Sequence, residues 1–444
     1  MDTAAISDSR FDVAVVGGGL SGLMAATLIG RQGLSVVLFE QAKQPGGRAI
    51  TTIKNDVRFN LGPRALYQSG DAFRILQDLE VPIHGAPPNP GTPLGYYRGR
   101  EYRLPTSLSG LLTTRLLFVR EKWTLTRFLK SLPDIDTDSL QQVPCLQWLT
   151  ERFGSGALAN LLSALFRLTT YAGDLQRLSA GAALDQLRLA LGGNVLYLDG
   201  GWQSLVDGLR EKAEEVGVII RSHSHVSSVA CTSREVILTT SDGSTETVTS
   251  AILAVGPDAA CSLLRLPADH ELVAWADRRQ PARAACLDVA LTKLPRPKHR
   301  FALGLDQPLY LSVHSAAAHL APEGVAVIHV MKYLPSNTVE AVGAVEQELE
   351  RMLDNVQPGW RTYLLTRRML PLMTVAHSHP EPCARGVTGR PGVTVPGYPG
   401  IYLAGDWVGH RGQLADAAAA SAEEAAQQIL QAFPSARTNA CQHA

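Results

Sequence analysis

Gly17-x-Gly19-x-x-Gly22 is followed, 18 residues after its last glycine, by Glu40. Residue types at this spacing suit one task, the holding of a dinucleotide. Gly17 permits a tight turn, Gly19 lets backbone approach a pyrophosphate, and Gly22 lets a helix pack close on a strand. A helix starting at Leu20 and Ser21 would turn unpaired N–H groups and its positive dipole end toward phosphates. Glu40, with Gln41 beside it, stands where a ribose diol needs acceptors.

The elements that must position these residues are legible around them. Residues 12–16 form an apolar run ended by glycine, which predicts a buried parallel strand. Residues 20–31 predict a helix ended by Gly33, and 35–39 a second strand. A glycine-rich turn alone is weak evidence; strand, turn, helix, strand and acid in order are much stronger.

Further glycine clusters follow: Gly46–Gly47–Arg48, Gly62–Pro63–Arg64, and Asp199–Gly200–Gly201–Trp202 at the head of a predicted helix. Strands are expected at 218–220, 225–229 and 251–255, with a hairpin turn at Asp242–Gly243. Near the far end, a strand runs through Tyr402 and Leu403 into Gly405–Asp406–Trp407, and an Ala-rich helix is expected over 414–432. Together these segments resemble the flavin-containing amine oxidase and phytoene desaturase superfamily.

The resemblance implies non-covalent FAD. The residues matching Gly47 and Arg48 wrap its pyrophosphate and ribityl chain in that superfamily. Those matching Gly405 and Asp406 hold the ribityl–phosphate end, and the helix from Leu414 points its N-terminus at the flavin ring. Val226 matches a valine that meets the adenine, and Gly62, Pro63 and Arg64 fall near the ring. Cys383 and His410 are the two side chains that could attach a flavin covalently. Gln413 stands where amine oxidases of the superfamily place an aromatic residue, and Lys293 is the only lysine near the strand that carries their water-positioning lysine.

Length and composition bound the rest. The chain has 444 residues, enough for two or three domains, and 41 basic residues balance 41 acidic ones. That balance argues against a nucleic-acid partner. Six cysteines without a CxxC pair argue against metal clusters and a disulfide framework, and favour a reducing, cytoplasmic setting. The polar first ten residues do not read as a secretory signal, and no apolar run spans a bilayer.

The expected fold is α/β: a Rossmann-type FAD-binding domain from 1–80, 195–260 and 395–444, and a discontinuous α+β substrate domain from 81–194 and 261–394. Residues 81–93 read as a proline-rich loop and 96–102 as a hairpin turning at Arg98–Gly99. Residues 107–191 are Leu-rich and helical, with Leu158, Leu161, Leu162, Leu165, Phe166 and Leu168 at helical spacing; they pack a core or line a channel for an apolar substrate. Residues 111–130 mix Leu116, Leu117, Phe118, Trp123 and Phe128 with five basic residues, a pattern that suits a solvated helix or peripheral contact with anionic lipid. Strands are expected at 285–291, 309–313 and 325–330, a Glu-rich helix over 338–356, and a frayed tail over 436–444.

The expected chemistry is transfer of a hydride equivalent from an apolar small molecule to the flavin, with oxygen or a quinone as electron acceptor. Polyene, porphyrinogen and amine substrates are open. A flavin-dependent isomerase and an FAD-bound non-catalytic protein are the alternatives. No catalytic residue is assigned, since the flavin carries the redox step. Arg64, Tyr67, His314, His329 and Lys332 are candidate neighbours of the substrate.

Overall fold

A computed structural model describes residues 11–336 and 340–433. Segments far apart in the chain build one parallel sheet, ordered Ile219–Arg221, Val36–Phe39, Val13–Val16, Ser250–Leu253, Ile401–Leu403. The strands Val13–Val16, Val36–Phe39 and Ser250–Leu253 are buried throughout, as their unbroken apolar runs require of a parallel sheet covered on both faces. The first helix, Leu20–Gly30, packs on the helices Gln203–Glu215 and Leu414–Ala432. The hairpin at Asp242–Gly243 forms as expected, joining Val236–Thr240 to Thr245–Val248.

The second sheet has seven strands, ordered Leu364–Ala376, Ala282–Leu291, Ala326–Leu334, Leu309–Val313, Phe301–Gly304, Leu94–Tyr97, Arg100–Arg103. Its pairs are antiparallel except that between Phe301–Gly304 and Leu94–Tyr97. Alternation decides what each face meets. Ala285, Leu287, Val289 and Leu291 pack toward the helix Val342–Val356. Ala284 and Cys286 face the Leu-rich helices, where Leu158, Leu161, Leu162 and Phe166 are buried. The first face matches the expected alternation.

Three differences from the sequence reading have local causes. The strand Leu364–Ala376 was not anticipated; it lies at the sheet edge and carries arginines and Pro371, which an edge strand tolerates. The proline-rich loop contributes a two-residue strand, Gly85–Ala86, paired with Val195–Leu198. The Glu-rich helix starts at Val342. The expected tail over 436–444 and the polar first ten residues lie outside the described residues. Among the described residues no helix is long and apolar enough to cross a membrane.

Candidate active site

A cavity of about 870 Å³ runs between the two sheets. Of the residues singled out from sequence, Gly17, Gly19, Leu20, Ser21, Glu40, Gln41, Gly47, Arg48, Pro63, Arg64, Val226, Gly405, Asp406 and Leu414 all line it. Gly22 and Gly62 do not. Gly22 supports the turn from behind: a Cβ there would fall 1.9 Å from the Gly17 carbonyl oxygen, so only glycine lets this helix start so close to the strand.

One end of the cavity is polar. Both Glu40 carboxylate oxygens accept backbone N–H bonds, from Gly18 and Ala42, each at 2.8 Å. No side chain caps the helix Leu20–Gly30 and its first turn holds no acid, so its N-terminal N–H groups keep their pull on an anion. Arg48 Nη1 donates to Asp406 Oδ2 at 2.7 Å and to the Val375 carbonyl at 2.8 Å. His377 meets the same carboxylate twice, through its backbone N–H at 3.0 Å and Nδ1 at 2.9 Å. Burial works against the Asp406 charge, but Arg48 and the hydrogen bonds outweigh it and hold the carboxyl well below the usual range.

Arg64 differs from Arg48. Its guanidinium lies 5.4 Å from the Trp202 ring centroid, and its Nε is buried with no hydrogen-bond partner. Burial, then the like charge of Arg48, lowers its pKa to about 10, so it stays cationic at neutral pH.

The C-terminal helix brings a second N-terminus to the cavity. Leu414 lines the wall with φ +56°, a left-handed backbone that non-glycine residues adopt at a cost. Gln413 turns away and donates from Nε2 to the Ala182 carbonyl at 2.7 Å. Asp416 also lines the cavity; its Oδ1 accepts from the Ala72 N–H at 2.9 Å. A Cβ on Gly70 would fall 2.2 Å from that oxygen, so glycine is needed there. Burial raises the Asp416 carboxyl to about 6, and no basic side chain pairs with it among the described residues.

The other end is apolar and phenolic. Leu165 and Leu168 line it, so the Leu-rich helix Ala157–Thr170 both packs a core and forms a wall. Tyr67, Tyr171, Tyr197, Tyr310, Tyr333, Met331 and Met373 complete it. Tyr171 donates to the Pro63 carbonyl at 2.9 Å, and the Tyr197 hydroxyl lies 3.3 Å from that of Tyr310. Tyr333 Oη is buried without a partner. Burial pushes the Tyr67 phenol up to about 12, so it stays protonated.

Other candidates do not converge here. His314 and His329 are buried but behind the wall. His329 Nδ1 lies 2.5 Å from Asp288 Oδ1, and the Cys286 thiol donates to the same oxygen at 3.1 Å. These three could surround an ion, but Arg368 already engages the second Asp288 oxygen, so the cluster closes as an ion-pair network. Lys332 pairs with Glu340 and Glu348. Cys383 and His410 are exposed and do not line the cavity. His377, Asp416 and the tyrosines at 171, 197, 310 and 333 were not anticipated as site residues; a polar residue next to a glycine–acid pair or a helix start was the one available signal, and Asp416 alone carried it.

These residues fit the FAD that the resemblance implies. A Cβ added to Gly19 would meet nothing within 4 Å, and one on Gly47 only the Gly19 Cα at 3.4 Å, so two bare stretches of backbone face the cavity. The unpartnered Arg64 offers a cation, and the volume lies toward the upper end of the ~300–1,000 Å³ usual for small-molecule sites.

Comparison with known proteins agrees. The sequence model of the flavin containing amine oxidoreductase family matches residues 20–285. A tryptophan 2-monooxygenase of Allorhizobium ampelinum is 41% identical over 97 residues, 20% of this chain and 13% of that protein. An uncharacterized protein of Mycobacterium tuberculosis is 42% identical over 77 residues, 17% of this chain and 14% of its own. The chain thus spans no more than 14% of the length of these two curated relatives. An oxidoreductase from Methanosarcina mazei superposes with a TM-score of 0.75 at 16% identity, covering 94% of this chain and 100% of that one. Cyclohexylamine oxidase from Brevibacterium oxydans superposes with a TM-score of 0.72 at 16% identity, covering 96% and 99%. At these identities the superpositions speak for a shared fold.

Proposed function

The chain belongs to the flavin-containing amine oxidoreductase family, and from that premise we propose that it is an FAD-dependent oxidoreductase acting on an apolar small molecule. The carrying observation is one continuous cavity with a glycine-and-acid end and a leucine-and-tyrosine end. The parallel sheet and its helices, drawn from 1–80, 195–260 and 395–444, serve in this reading as the FAD-binding domain. The remaining segments serve as the substrate domain.

FAD held by the glycine turns, Glu40 and Arg64 would supply the redox chemistry, as acceptor of a hydride equivalent from the substrate. The protein's own residues bind, orient and exclude water. The Leu20–Gly30 N-terminus and Arg64 receive anionic groups, and Glu40 receives hydroxyls through its remaining lone pairs. Arg48 stays fixed by Asp406, which His377 fixes in turn, so the polar wall is ordered before any ligand arrives. Leu165, Leu168, Met331 and Met373 displace water from the apolar end. The phenols of Tyr67, Tyr310 and Tyr333 keep their protons at neutral pH, and the Tyr333 hydroxyl, which has no partner in the protein, can donate to a substrate oxygen or nitrogen.

The test is absorption spectroscopy. Purified protein, or protein mixed with FAD, should show flavin bands; a colourless protein that ignores added FAD would sink the reading. Anaerobic addition of an apolar substrate should bleach the bands. Turnover only after prior reduction of the flavin would instead mark an isomerase, and FAD binding without response to any substrate class a non-catalytic protein.

One observation favours a second reading, a cationic amine substrate. Asp416 is a buried carboxyl in the wall with no basic partner among the described residues. If it receives an ammonium, Asp416→Asn should raise KM for amines at least ten-fold and leave uncharged substrates unaffected.

A further inference from the structure

The exposed large apolar side chains of this protein mostly stand alone, as on any surface. Four do not. Leu112, Phe118, Val119 and Trp123 fall within twelve residues and are 71%, 82%, 71% and 68% exposed. Their crowding comes from the local fold. Ser107 Oγ accepts from the Gly110 N–H and caps a short helix, Leu108–Thr113. A turn leads into the helix Val119–Ser131, started by Glu121 accepting from the Phe118 N–H at 2.9 Å. Lys122 Nζ donates to the Leu112 carbonyl at 2.8 Å and ties the two helices together. Leu125 and Phe128 turn inward, which sends Val119 and Trp123, one helical turn apart, outward.

The charge around this patch is one-sided. Between residues 107 and 131 stand Arg115, Arg120, Lys122, Arg127 and Lys130 against Glu121 alone, in a chain whose 41 basic and 41 acidic residues balance as a whole. Arg127 and Lys130 continue the face of Trp123 along the helix. Asp134, Asp136 and Asp138 follow beyond its far end. An apolar tip with a basic collar and acids held back is the charge order of a segment that enters a negatively charged lipid surface by its N-terminal end.

The patch follows in the chain directly on a residue of the cavity wall. Thr106, one residue before the helix cap, lines that cavity and is exposed, as is Leu191.

We propose that Leu112, Phe118, Val119 and Trp123, with their basic collar, dock this protein on an anionic bilayer and present the apolar mouth of the cavity to it. The docking stands apart from the chemistry in the cavity; its use as a substrate entrance rests on the proposed function.

Cosedimentation of the full chain with vesicles tests it, with and without added FAD. Binding is expected to vesicles of phosphatidylglycerol mixed with phosphatidylcholine, and little to phosphatidylcholine alone. Each of Arg120→Gln, Arg127→Gln and Lys130→Gln should weaken partitioning about five-fold, the effect of one basic residue at such a surface. The double variant Phe118→Ser/Trp123→Ser should abolish it while melting at the wild-type temperature, since both side chains are exposed. The vesicle-induced blue shift of tryptophan emission should vanish in Trp123→Phe. Equal partitioning of the double variant and the wild type would overturn the proposal, as would failure to sediment with anionic vesicles. A doubled mass in light scattering that the double variant returns to monomer would assign the face to a second copy of the chain instead.

Discussion

Arg48 and Asp406 lie 358 positions apart in the chain, yet Nη1 and Oδ2 meet at 2.7 Å in the wall of the cavity. The pair closes the polar wall by joining the turn after the second strand to the turn before the last helix. Asp406→Asn should therefore destabilise the protein by roughly 1–2 kcal/mol at pH 7, less than for a fully buried pair, since the Arg48 side chain left without its partner is 34% exposed and partly solvated. The sign with pH follows from the lowered Asp406 pKa. Its stabilisation is present above the unfolded value near pH 4 and is lost as pH falls toward the folded one. Melting curves of wild type and variant should accordingly converge below pH 4; a constant gap would show that the carboxylate charge is not the cause.

Asp416 carries the opposite dependence. Its carboxyl is raised from 3.8 to about 6, so it favours the folded state below the unfolded value and loses that advantage as pH rises through 6. The shift of roughly two units corresponds to about 3 kcal/mol. Asp416→Asn keeps an acceptor for the Ala72 N–H, so it should match the wild type near pH 4 and exceed it in stability at pH 8. Denaturant titrations at the two pH values decide this.

Arg64 is expected to matter for ligand more than for fold, because its Nε has no partner in the protein. Arg64→Met keeps the stem that lies against Trp202 and removes the charge. FAD affinity should drop about 30-fold, the scale of one charged hydrogen bond of roughly 2 kcal/mol, with melting of the FAD-free protein little changed. An unaltered Kd for FAD would place the cation's partner in the substrate.

Gly22 and Gly70 make steric predictions. Alanine at 22 puts a Cβ 1.9 Å from the Gly17 carbonyl oxygen, and at 70 one 2.2 Å from Asp416 Oδ1. Gly22→Ala should purify with less than a tenth of the wild-type flavin content. Gly70→Ala should retain flavin but lose the pH dependence ascribed to Asp416, because the helix start must move. Flavin-to-protein absorbance ratios and pH-resolved melts separate the two.

Which parts of this were legible in the sequence depended on how local each signal was. The strand, turn, helix and acid from Val13 to Glu40 are continuous, so their periodicity and glycines sufficed. The last helix begins and ends where its composition suggested. The strand Leu364–Ala376 was not legible because an edge strand meets a partner on one side only and can carry Arg367, Arg368 and Pro371, which hide its period. The phenolic wall was hidden for another reason. Tyr171, Tyr197, Tyr310 and Tyr333 come from four segments, and only the packing of the seven-stranded sheet against the Leu-rich helices and the small sheet of Val195–Leu198 assembles them. His377 follows that unforeseen strand, so its bond to Asp406 was equally out of reach.

The parallel sheet takes its last strand from Ile401–Leu403, which pairs in parallel with Ser250–Leu253, about 150 positions earlier in the chain, and meets its own neighbourhood only by a bridge from Thr394 to Tyr402. The first glycine turn and the opposite wall of its cavity thus come from segments far apart in the chain. Closure joins Arg48 to Asp406 across 358 positions, and such distant contacts are slow to find. Truncated chains ending before residue 400 should retain no flavin even though they hold every glycine of the opening turn. A ligand that binds only the closed sheet, as FAD would across this cavity, then favours the folded chain by mass action and holds the distant last strand in place.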